Sequence, residues 1–428
     1  MSGSLQTMSE RDLGGVRTAP SYRALFARTE FTAVFGARVL SDWGDQLARV
    51  ALAALVLHRS GSALFAASVF AVSFLPQVFG QALLGPIADR LPRRTLLVVC
   101  DLLRAALVAV LVAAVLAGMP IGVLLAVVFG IELVGSPFFA AGQALLVEIF
   151  DDRPQYLRAA NLLQVTVQVN QMLGVALGGV VVATVGPARA LWLDAASFLL
   201  SAVLLGAFVS ARAAAAEGGV PGLRELGRDV RDGLAYLRRD LRLLSMAGLA
   251  WLMLLAMVAP EAVALPLARD HGASTRAGGL LLAAVPAGIA VGVAVVGRWT
   301  PQQQVHRMLP MAALLPLPLL AMALDPPWPV AGLLFALAGA MQAFLVPLMG
   351  TFTLLAPEHL RGRLNGVAGA GFSLISALSF VAVGALADAT TSARAVAIAA
   401  GVTLLLLALA WRKWPARELD EAAARVYG

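Results

Sequence analysis

Twelve long apolar stretches dominate this chain of 428 residues and constrain its fold more than any other feature. A helix needs about 20 mostly apolar residues to cross the hydrocarbon core of a bilayer. The stretches lie at 31–57, 64–87, 95–117, 120–149, 159–185, 190–209, 243–267, 276–297, 307–324, 328–355, 365–387 and 394–411. The chain is 60% hydrophobic and 13% charged, whereas soluble domains are about 45–50% apolar and about 25% charged. We therefore predict an all-α membrane protein with twelve transmembrane helices.

The basic residues are divided unequally between the gaps that separate these stretches. Alternate gaps, together with both termini, hold 24 of the 32 Lys and Arg residues, and the other gaps hold five. Because basic residues are enriched on the cytoplasmic side of membrane proteins, we predict a multi-pass protein of the bacterial inner membrane with both termini in the cytoplasm. The net charge of +7 then reflects orientation in the membrane, and we predict no nucleic-acid partner.

The longest gap divides the apolar stretches into two sets of six. We predict a cytoplasmic tail at 1–30, a six-helix bundle at 31–209, a cytoplasmic linker at 210–242, a second six-helix bundle at 243–411 and a cytoplasmic tail at 412–428. Leucines recur in the linker at helical spacing with arginines between them, which predicts an amphipathic helix on the membrane surface. Two six-helix repeats indicate a transporter whose halves rock around a site near the bilayer midplane.

Four charged residues lie inside the first apolar stretch at spacings of four, three and four: Arg38, Asp42, Asp45 and Arg49. This spacing places them on one face of a helix. Each charge costs about 2.5–3.5 kcal/mol near the bilayer centre, so the face must contact protein or water. Two interpretations stay open. The residues form a substrate or proton pathway in a central cavity, or they pair as Arg38 with Asp42 and Asp45 with Arg49 and hold the helix in place.

Further charged residues occur inside other apolar stretches. Glu132 lies in the middle of the fourth stretch, and no basic residue shares its helix. It either carries a transported proton or stays neutral as a buried side chain. Asp101 and Arg104 are three residues apart in the third stretch, and we expect them to pair. We expect Asp194 and Glu261 to reach water near the outer ends of their spans.

The fifth apolar stretch combines amides and glycines on one helix face. The amides are Asn161, Gln164, Gln168 and Gln171, and the glycines are Gly174, Gly178 and, beside it, Gly179. Amides hydrogen-bond polar groups without the cost of burying a charge, so we expect them to contact either the substrate or neighbouring helices. The glycines allow another helix to approach closely.

The segment 85–94, GPIADRLPRR, resembles the Gly-x-x-x-Asp-Arg-x-Gly-Arg-Arg loop signature of the major facilitator superfamily. Segments 38–45, 233–240 and 361–366 are similar to sequences of its proton-coupled exporters, in particular the enterobactin and macrolide efflux branch. Segment 174–179, GVALGG, is similar to the Gly-Pro-x-x-Gly-Gly segment associated with antiporters. The resemblance implies the major facilitator fold.

The resemblance also implies a gate on the cytoplasmic side. It assigns Gly85 to close helix packing, Asp89 to the N-terminal end of the eleventh span near Asn365, and Arg90 to Glu148 or Asp151. Arg93 and Arg94 complete the signature. Such contacts form when the cytoplasmic side is closed, so they would stabilise the outward-open state.

These observations favour a secondary active transporter, and not an enzyme, that exports a small apolar or amphipathic compound in exchange for protons. A drug, an antibiotic and a siderophore-like molecule all fit this description. Alternatives are an uptake carrier for a lipid-like molecule or other solute, and a non-transporting receptor or scaffold. The four histidines have no ligand-like spacing and the sequence has no Gly-Lys-Ser/Thr loop, so we expect no metal, no ATP and no cofactor. We expect a monomer whose partners are its substrate, protons and the lipid bilayer.

Overall fold

Long α-helices form most of the part of the chain that this computed structural model describes. That part is residues 22–150, 152–212, 223–358, 360–411, 414–415, 418–419 and 421. Inside these ranges the side chains at 77–90, 153, 164, 168, 171–172, 175–176, 183, 223–226 and 229 are not described. The described ranges contain no β-strand.

The first bundle follows a short helix α1 (Tyr22–Phe26). It comprises α2 (Thr29–Ser60), α3 (Ala63–Arg90), α4 (Arg93–Leu116), α5 (Ile121–Ile149), α6 (Arg153–Val185) and α7 (Pro187–Phe208). The linker contains α8 (Leu223–Arg239). The second bundle comprises α9 (Leu241–Asp270), α10 (Thr275–Val296), α11 (Pro301–Leu314), α12 (Pro316–Leu320), α13 (Trp328–Met341), α14 (Leu345–Leu355), α15 (Arg361–Ala389) and α16 (Ser392–Trp411).

The described helices fall into twelve spans, because α11 continues into α12 and α13 continues into α14 through single turns of 3₁₀-helix or a proline break. Within the described residues, nine spans are long and apolar enough to cross a membrane by length and composition alone. Helix α2 is not among the nine since it carries the charged stripe, and α3 is apolar over Ala63–Pro76. The predicted all-α membrane fold is confirmed.

Several helices begin earlier than the apolar stretches predict. Helix α11 begins at Pro301, six residues before the predicted start, because the Thr300 hydroxyl accepts from the Gln303 N–H and the Gln303 side chain accepts from the Thr300 N–H. This reciprocal cap lets a polar first turn project beyond the hydrocarbon core. Helix α6 likewise begins at Arg153 with a proline in its first turn rather than at residue 159.

The two ends of the helices define two sides of the molecule. We call the side where α2 begins and α7 ends the basic side, and the other the opposite side. On the opposite side α2 ends at Ser60 and is followed by Gly61, whose φ of 67° lies in the left-handed region. That conformation lets the chain turn directly into α3, and it favours glycine.

The linker helix α8 lies against the second bundle on the basic side. Leu237 is fully buried, and Gly233 packs on Val367 and the Arg363 backbone of α15. Asp240 then caps α9 by accepting hydrogen bonds from the backbone N–H of Arg242 and Leu243. The Arg242 guanidinium, which donates to the same carboxylate at 2.8 and 3.1 Å, holds the pKa of Asp240 below its usual value.

The two bundles meet along two pairs of helices, α3 with α15 and α6 with α10. On the first contact Phe70 and Phe380 stack with ring centroids 5.4 Å apart. At the second, Gly179 and Gly279 pack backbone against backbone, and a Cβ atom on Gly179 would lie 2.1 Å from the Cα of Gly279. Glycine is therefore required where α6 and α10 cross.

Candidate functional site

The four charged residues of α2 lie on one face, as predicted, but they do not all pair with one another. Arg38 donates to Asp42 at 3.0 Å, one turn along the same helix. The Arg38 guanidinium also lies over the Phe139 ring of α5, 4.9 Å from its centroid. Both side chains of this pair keep partial exposure, 21% for Arg38 and 15% for Asp42. The pair therefore borders a space between helices.

Asp45 pairs with Arg104 of α4 rather than with Arg49. One guanidinium nitrogen of Arg104 lies 2.7 Å from each Asp45 oxygen, and the guanidinium stacks 4.0 Å from the centroid of the Phe198 ring. Arg104 is only 4% exposed. The predicted pairing of Asp101 with Arg104 is wrong, because Asp101 instead accepts from the Ser201 hydroxyl at 2.5 Å.

Arg49 pairs with Glu132 of α5. The Arg49 Nε and Nη2 atoms donate to one Glu132 oxygen at 3.1 and 2.9 Å. The alternative pairing of Asp45 with Arg49 is therefore wrong. Both residues lie eleven positions from the opposite-side ends of their helices. At 1.5 Å per residue this is about 17 Å, close to half of a bilayer core about 30 Å thick.

Two carboxylates, Asp194 and Asp101, lie deeper in the first bundle, and the sequence predictions for both were wrong. Asp194 of α7 is 1% exposed, so the prediction that it reaches water is wrong. It packs against Gly44 of α2, where an added Cβ would lie 2.3 Å from an Asp194 oxygen. Asp101 is fully buried. The glycine between Asp42 and Asp45 was the available signal, because it allows α7 to approach the stripe closely.

Glu261 of α9 is the charged residue of the second bundle that faces this network. It is partly exposed, and the described residues give it no hydrogen bond and no ion pair. Arg49 of the first bundle is near enough to Glu261 for their charges to attract each other. Glu261 lies nine residues from the opposite-side end of α9, so it shares the depth of Arg49 and Glu132.

The structure describes only some of the amide side chains that the sequence places on one face of α6. The side chains of Gln164, Gln168 and Gln171 lie outside the described part, so their predicted contacts stay predictions. Asn170, which lies off their face, is buried and accepts from the Trp43 indole N–H at 3.1 Å. This bond ties α6 to α2 and was not predicted.

The predicted packing glycines lie where α6 meets other helices. Gly174 faces the Gln46 side chain of α2, and Gly178 faces Val50 one turn further along. Gly179 makes the backbone contact with Gly279 already described.

The structure describes some of the residues of the gate that the resemblance predicts on the cytoplasmic side. The side chains of Gly85, Asp89 and Arg90 and the whole of Asp151 lie outside the described part. Arg93 lies 3.5 Å from Glu148, the residue that the resemblance had assigned to Arg90. Arg94 donates to the Gly206 carbonyl of α7, and Asn365 is exposed in the first turn of α15.

The opposite side carries direct bonds between the bundles. The Asp388 carboxylate at the end of α15 accepts from the Ser62 hydroxyl and from the backbone N–H of Ala63 at 2.6 Å and Leu64 at 3.2 Å. Arg269 of α9 donates to the Gly61 carbonyl at 2.8 Å. The bundles are therefore closed against each other on this side. We call the Asp388 contacts the α15–α3 latch.

On the basic side the first bundle contains a recess of about 490 Å³, part of it open to solvent. Its wall is mostly apolar, with Arg38 and Gln143 as the polar exceptions. The lining residues are Val34, Arg38, Leu97, Phe138, Phe139, Gly142, Gln143, Leu163, Val167 and Leu205. A mostly apolar recess with few polar groups suits an amphipathic small molecule. Within the described residues no group of three His, Cys, Asp or Glu side chains is placed to hold a metal ion.

Comparison with known proteins gives consistent results. The model of the Major Facilitator Superfamily matches residues 34–351. The multidrug efflux pump Tap of Mycobacterium tuberculosis is 30% identical over 399 residues, which cover 90% of this chain and 94% of that protein. Tap of Mycolicibacterium fortuitum is 29% identical over 407 residues, covering 89% and 94%.

Two solved structures share the fold. The nucleoside transporter NupG gives a TM-score of 0.72 at 12% identity, with 90% of this chain and 100% of that chain covered. A bacterial homologue of the human lysosomal transporter Spinster, in an inward-facing and unoccupied conformation, gives 0.66 at 15% identity, with 93% and 98% covered. At these identities the likeness shows the fold alone.

Proposed function

Because this chain belongs to the Major Facilitator Superfamily, a family of membrane transporters and not of enzymes, we propose that it exports a small apolar or amphipathic compound in exchange for protons. The relatives named above are multidrug efflux pumps that match almost the whole chain. We further propose that the basic side faces the cytoplasm of a bacterial cell, that both termini lie there, and that a monomer suffices for transport.

The charged network inside the first bundle is the observation that supports this proposal best. Asp42, Asp45 and Glu132 are 15%, 16% and 14% exposed, so none of the three carboxylates is completely enclosed by the protein. A rigid receptor or scaffold gains nothing from the cost of burying such groups, whereas a proton-driven carrier needs carboxylates that bind and release protons in the membrane.

The α15–α3 latch supports alternating access. It closes the opposite side, whereas the recess beside Arg38 lies on the basic side and is partly open to solvent. Transport requires a second state in which this latch opens and the basic side closes. We propose that a gate on the basic side stabilises that second state. Its residues are Gly85, Asp89, Arg90, Arg93, Arg94, Glu148, Asp151 and Asn365.

Dye efflux in bacterial cells tests the function. Cells that express the chain should accumulate less of a fluorescent amphipathic dye than cells without it, and a protonophore should abolish the difference. An uptake carrier would raise accumulation, and a scaffold would leave it unchanged.

Two variants test the role of the network. Asp42→Asn and Glu132→Gln should abolish proton-driven efflux while membrane insertion, followed by a fluorescent fusion, stays normal. Asp325→Asn is the control, because this carboxylate is exposed and, within the part of the chain that the structure describes, its ion pair is with His271 of its own bundle, at 3.5 Å. Full efflux by both network variants would refute the assignment.

A further inference from the structure

The recess on the basic side lies inside the first bundle. All of its lining residues belong to α2, α4, α5, α6 and α7. Its shape is therefore set by helices of one bundle, and it persists when that bundle rotates against the other as a rigid body. A molecule held in the recess keeps its contacts through such a rotation, whereas contacts made by both bundles would change.

The inner end of the recess is apolar. Leu97 of α4, Phe138 of α5 and Leu205 of α7 line the recess and are buried. Because these side chains come from three helices and have almost no exposed surface, they form the part of the wall that lies deepest in the bundle. An apolar wall of this kind favours a hydrocarbon group or an aromatic ring over water.

The mouth of the recess is more polar and is turned toward the second bundle. It consists of Arg38, Phe139 and Gln143, which all keep exposed surface. Arg38 precedes Arg49 by eleven residues, or about three helical turns, so both lie on one face of α2. Arg49 is near enough to Glu261 of the second bundle for their charges to attract each other. The same face of α2 therefore directs the mouth to the gap between the bundles.

Hydrogen-bond donors at the mouth are available to a ligand. Arg38 bonds to Asp42 through Nε at 3.0 Å, and within the described residues its two Nη atoms have no hydrogen bond. The Gln143 amide has no hydrogen bond to a described residue either, and neither side chain is sealed from open space. These N–H groups can donate to an oxygen atom of a ligand. Because Asp42 balances the charge of Arg38, the mouth offers hydrogen bonds without an excess of charge.

Gly142 of α5 determines how much space the recess offers. It lines the recess seven residues before the end of the helix, and a Cβ atom added there would meet no atom within 4 Å. Gly142 therefore differs from Gly179, which the contact between two helices requires. A larger side chain at position 142 would occupy open space of the recess and would leave the packing of the helices unchanged.

We propose, on the basis of the export function above, that the recess is a substrate subsite for neutral aromatic compounds that carry an oxygen acceptor, and that Gly142 limits the size of the group that enters. The aromatic rings pack on the apolar inner end. The oxygen accepts hydrogen bonds from Arg38 or Gln143 at the mouth. The compound moves with the first bundle while the mouth turns from one side of the membrane to the other.

Photolabelling with benzophenone tests the proposal. Benzophenone is neutral, combines two phenyl rings with a carbonyl oxygen, and on irradiation forms a covalent bond at a nearby C–H group. We expect saturable labelling within 34–38 and 138–143 of the purified full-length protein in lipid nanodiscs, located by mass spectrometry of its peptides. Benzanilide, which has a carbonyl oxygen, should compete about tenfold better than diphenylmethane, which has none. This ratio corresponds to about 1.4 kcal/mol.

Glycine variants on one helix separate occupation of the recess from general effects on the protein. Gly142→Leu fills the recess, so it should weaken benzophenone labelling about tenfold and reduce the efflux of Nile red, a neutral aromatic dye with a carbonyl oxygen. Gly142→Ala adds only a methyl group and should have a smaller effect. Gly122→Leu is the matched control, because a Cβ atom there also meets no atom within 4 Å and Gly122 lies outside the recess, in the first turn of α5.

Several outcomes would overturn the proposal. These are labelling that does not saturate, equal competition by benzanilide and diphenylmethane, and labelling or Nile red efflux that is the same in Gly142→Leu as in an exporting wild type. The ions para-benzoylbenzoate and para-benzoylbenzyltrimethylammonium have the same rings and carbonyl, and stronger labelling by either would contradict the choice of a neutral compound. Intact labelling of the recess in a wild type that exports no dye would instead count against the proposed function alone.

Discussion

Removing the negative charge of Asp388 should release the opposite side of the molecule. This carboxylate accepts three hydrogen bonds from the start of α3, two of them from backbone N–H groups in the first turn. The start of a helix carries a partial positive charge, so the contact combines hydrogen bonding with attraction to the helix dipole. Both contributions exist only while the bundles are closed on this side.

The magnitude follows from these contacts. A hydrogen bond to a charged group is worth about 1.5–3 kcal/mol, and an exposed carboxylate at a helix N-terminus adds about 0.3–1 kcal/mol. Asp388 is exposed, and Asn in its place retains one acceptor oxygen, so we expect Asp388→Asn to cost the closed state about 1–2 kcal/mol. That cost shifts the equilibrium about 5- to 30-fold toward the state that is open on the opposite side.

Spin-label distances measure this shift directly. Cys100 is the only cysteine, so Cys100→Ser gives a clean background for Met119→Cys in the first bundle and Leu324→Cys in the second. Both positions are exposed on the opposite side. We expect Asp388→Asn to enlarge the long-distance population and Asp325→Asn to leave it unchanged. Identical distance distributions in both variants and the wild type would show that the latch does not control closure.

Two further predictions concern stability. Arg104→Gln leaves the carboxylate of Asp45, which is 16% exposed, without its counter-charge. Because the loss of one partner of a fully buried pair costs about 3–5 kcal/mol, we expect a smaller loss of stability here, and adding Asp45→Asn should recover most of it. Thermal unfolding in detergent measures both variants, and an Arg104→Gln variant as stable as wild type would contradict the pairing. Asp240→Ala should lower the unfolding temperature at pH 7. Because the folded-state pKa of Asp240 lies below the usual 3.8, its stabilisation is complete above that value and is lost as the pH falls through the folded pKa. The difference between the two unfolding temperatures should therefore shrink as the pH falls below 3.8 and through the folded pKa, and a difference that grows over this range would refute the sign.

The sequence predicts the spans and the charged stripe well, because both depend on local periodicity. Apolar length and helical spacing are properties of one segment, and α2 has the predicted face. The partners of the stripe depend on which helices become neighbours, and spacing along one chain segment does not contain that information. Asp101 and Arg104 have suitable spacing for a pair, yet Ser201 and Asp45 reach them from other helices.

Burial was also hard to predict from the sequence. Asp194 lies near one end of its span, which suggests access to water. Gly44 has no side chain, so α2 packs directly on Asp194 and excludes water from its carboxyl group. Interactions between the bundles escaped prediction for the same reason. Asp388 and Ser62 are separated by 326 positions, and neither belongs to a recognisable motif.

The distribution of charge between the bundles restricts where transport and proton movement are coupled. The pairs Arg38–Asp42, Asp45–Arg104 and Arg49–Glu132 each lie within the first bundle, so their distances persist when one bundle moves as a rigid body. A contact that is the same in two states cannot bias the equilibrium between them. Among the described deep residues, the interaction that changes is that of Arg49 with Glu261, because it joins the two bundles. We therefore infer that Arg49, which is bonded to Glu132 and faces Glu261, is the residue through which the charged network of the first bundle acts on the second bundle.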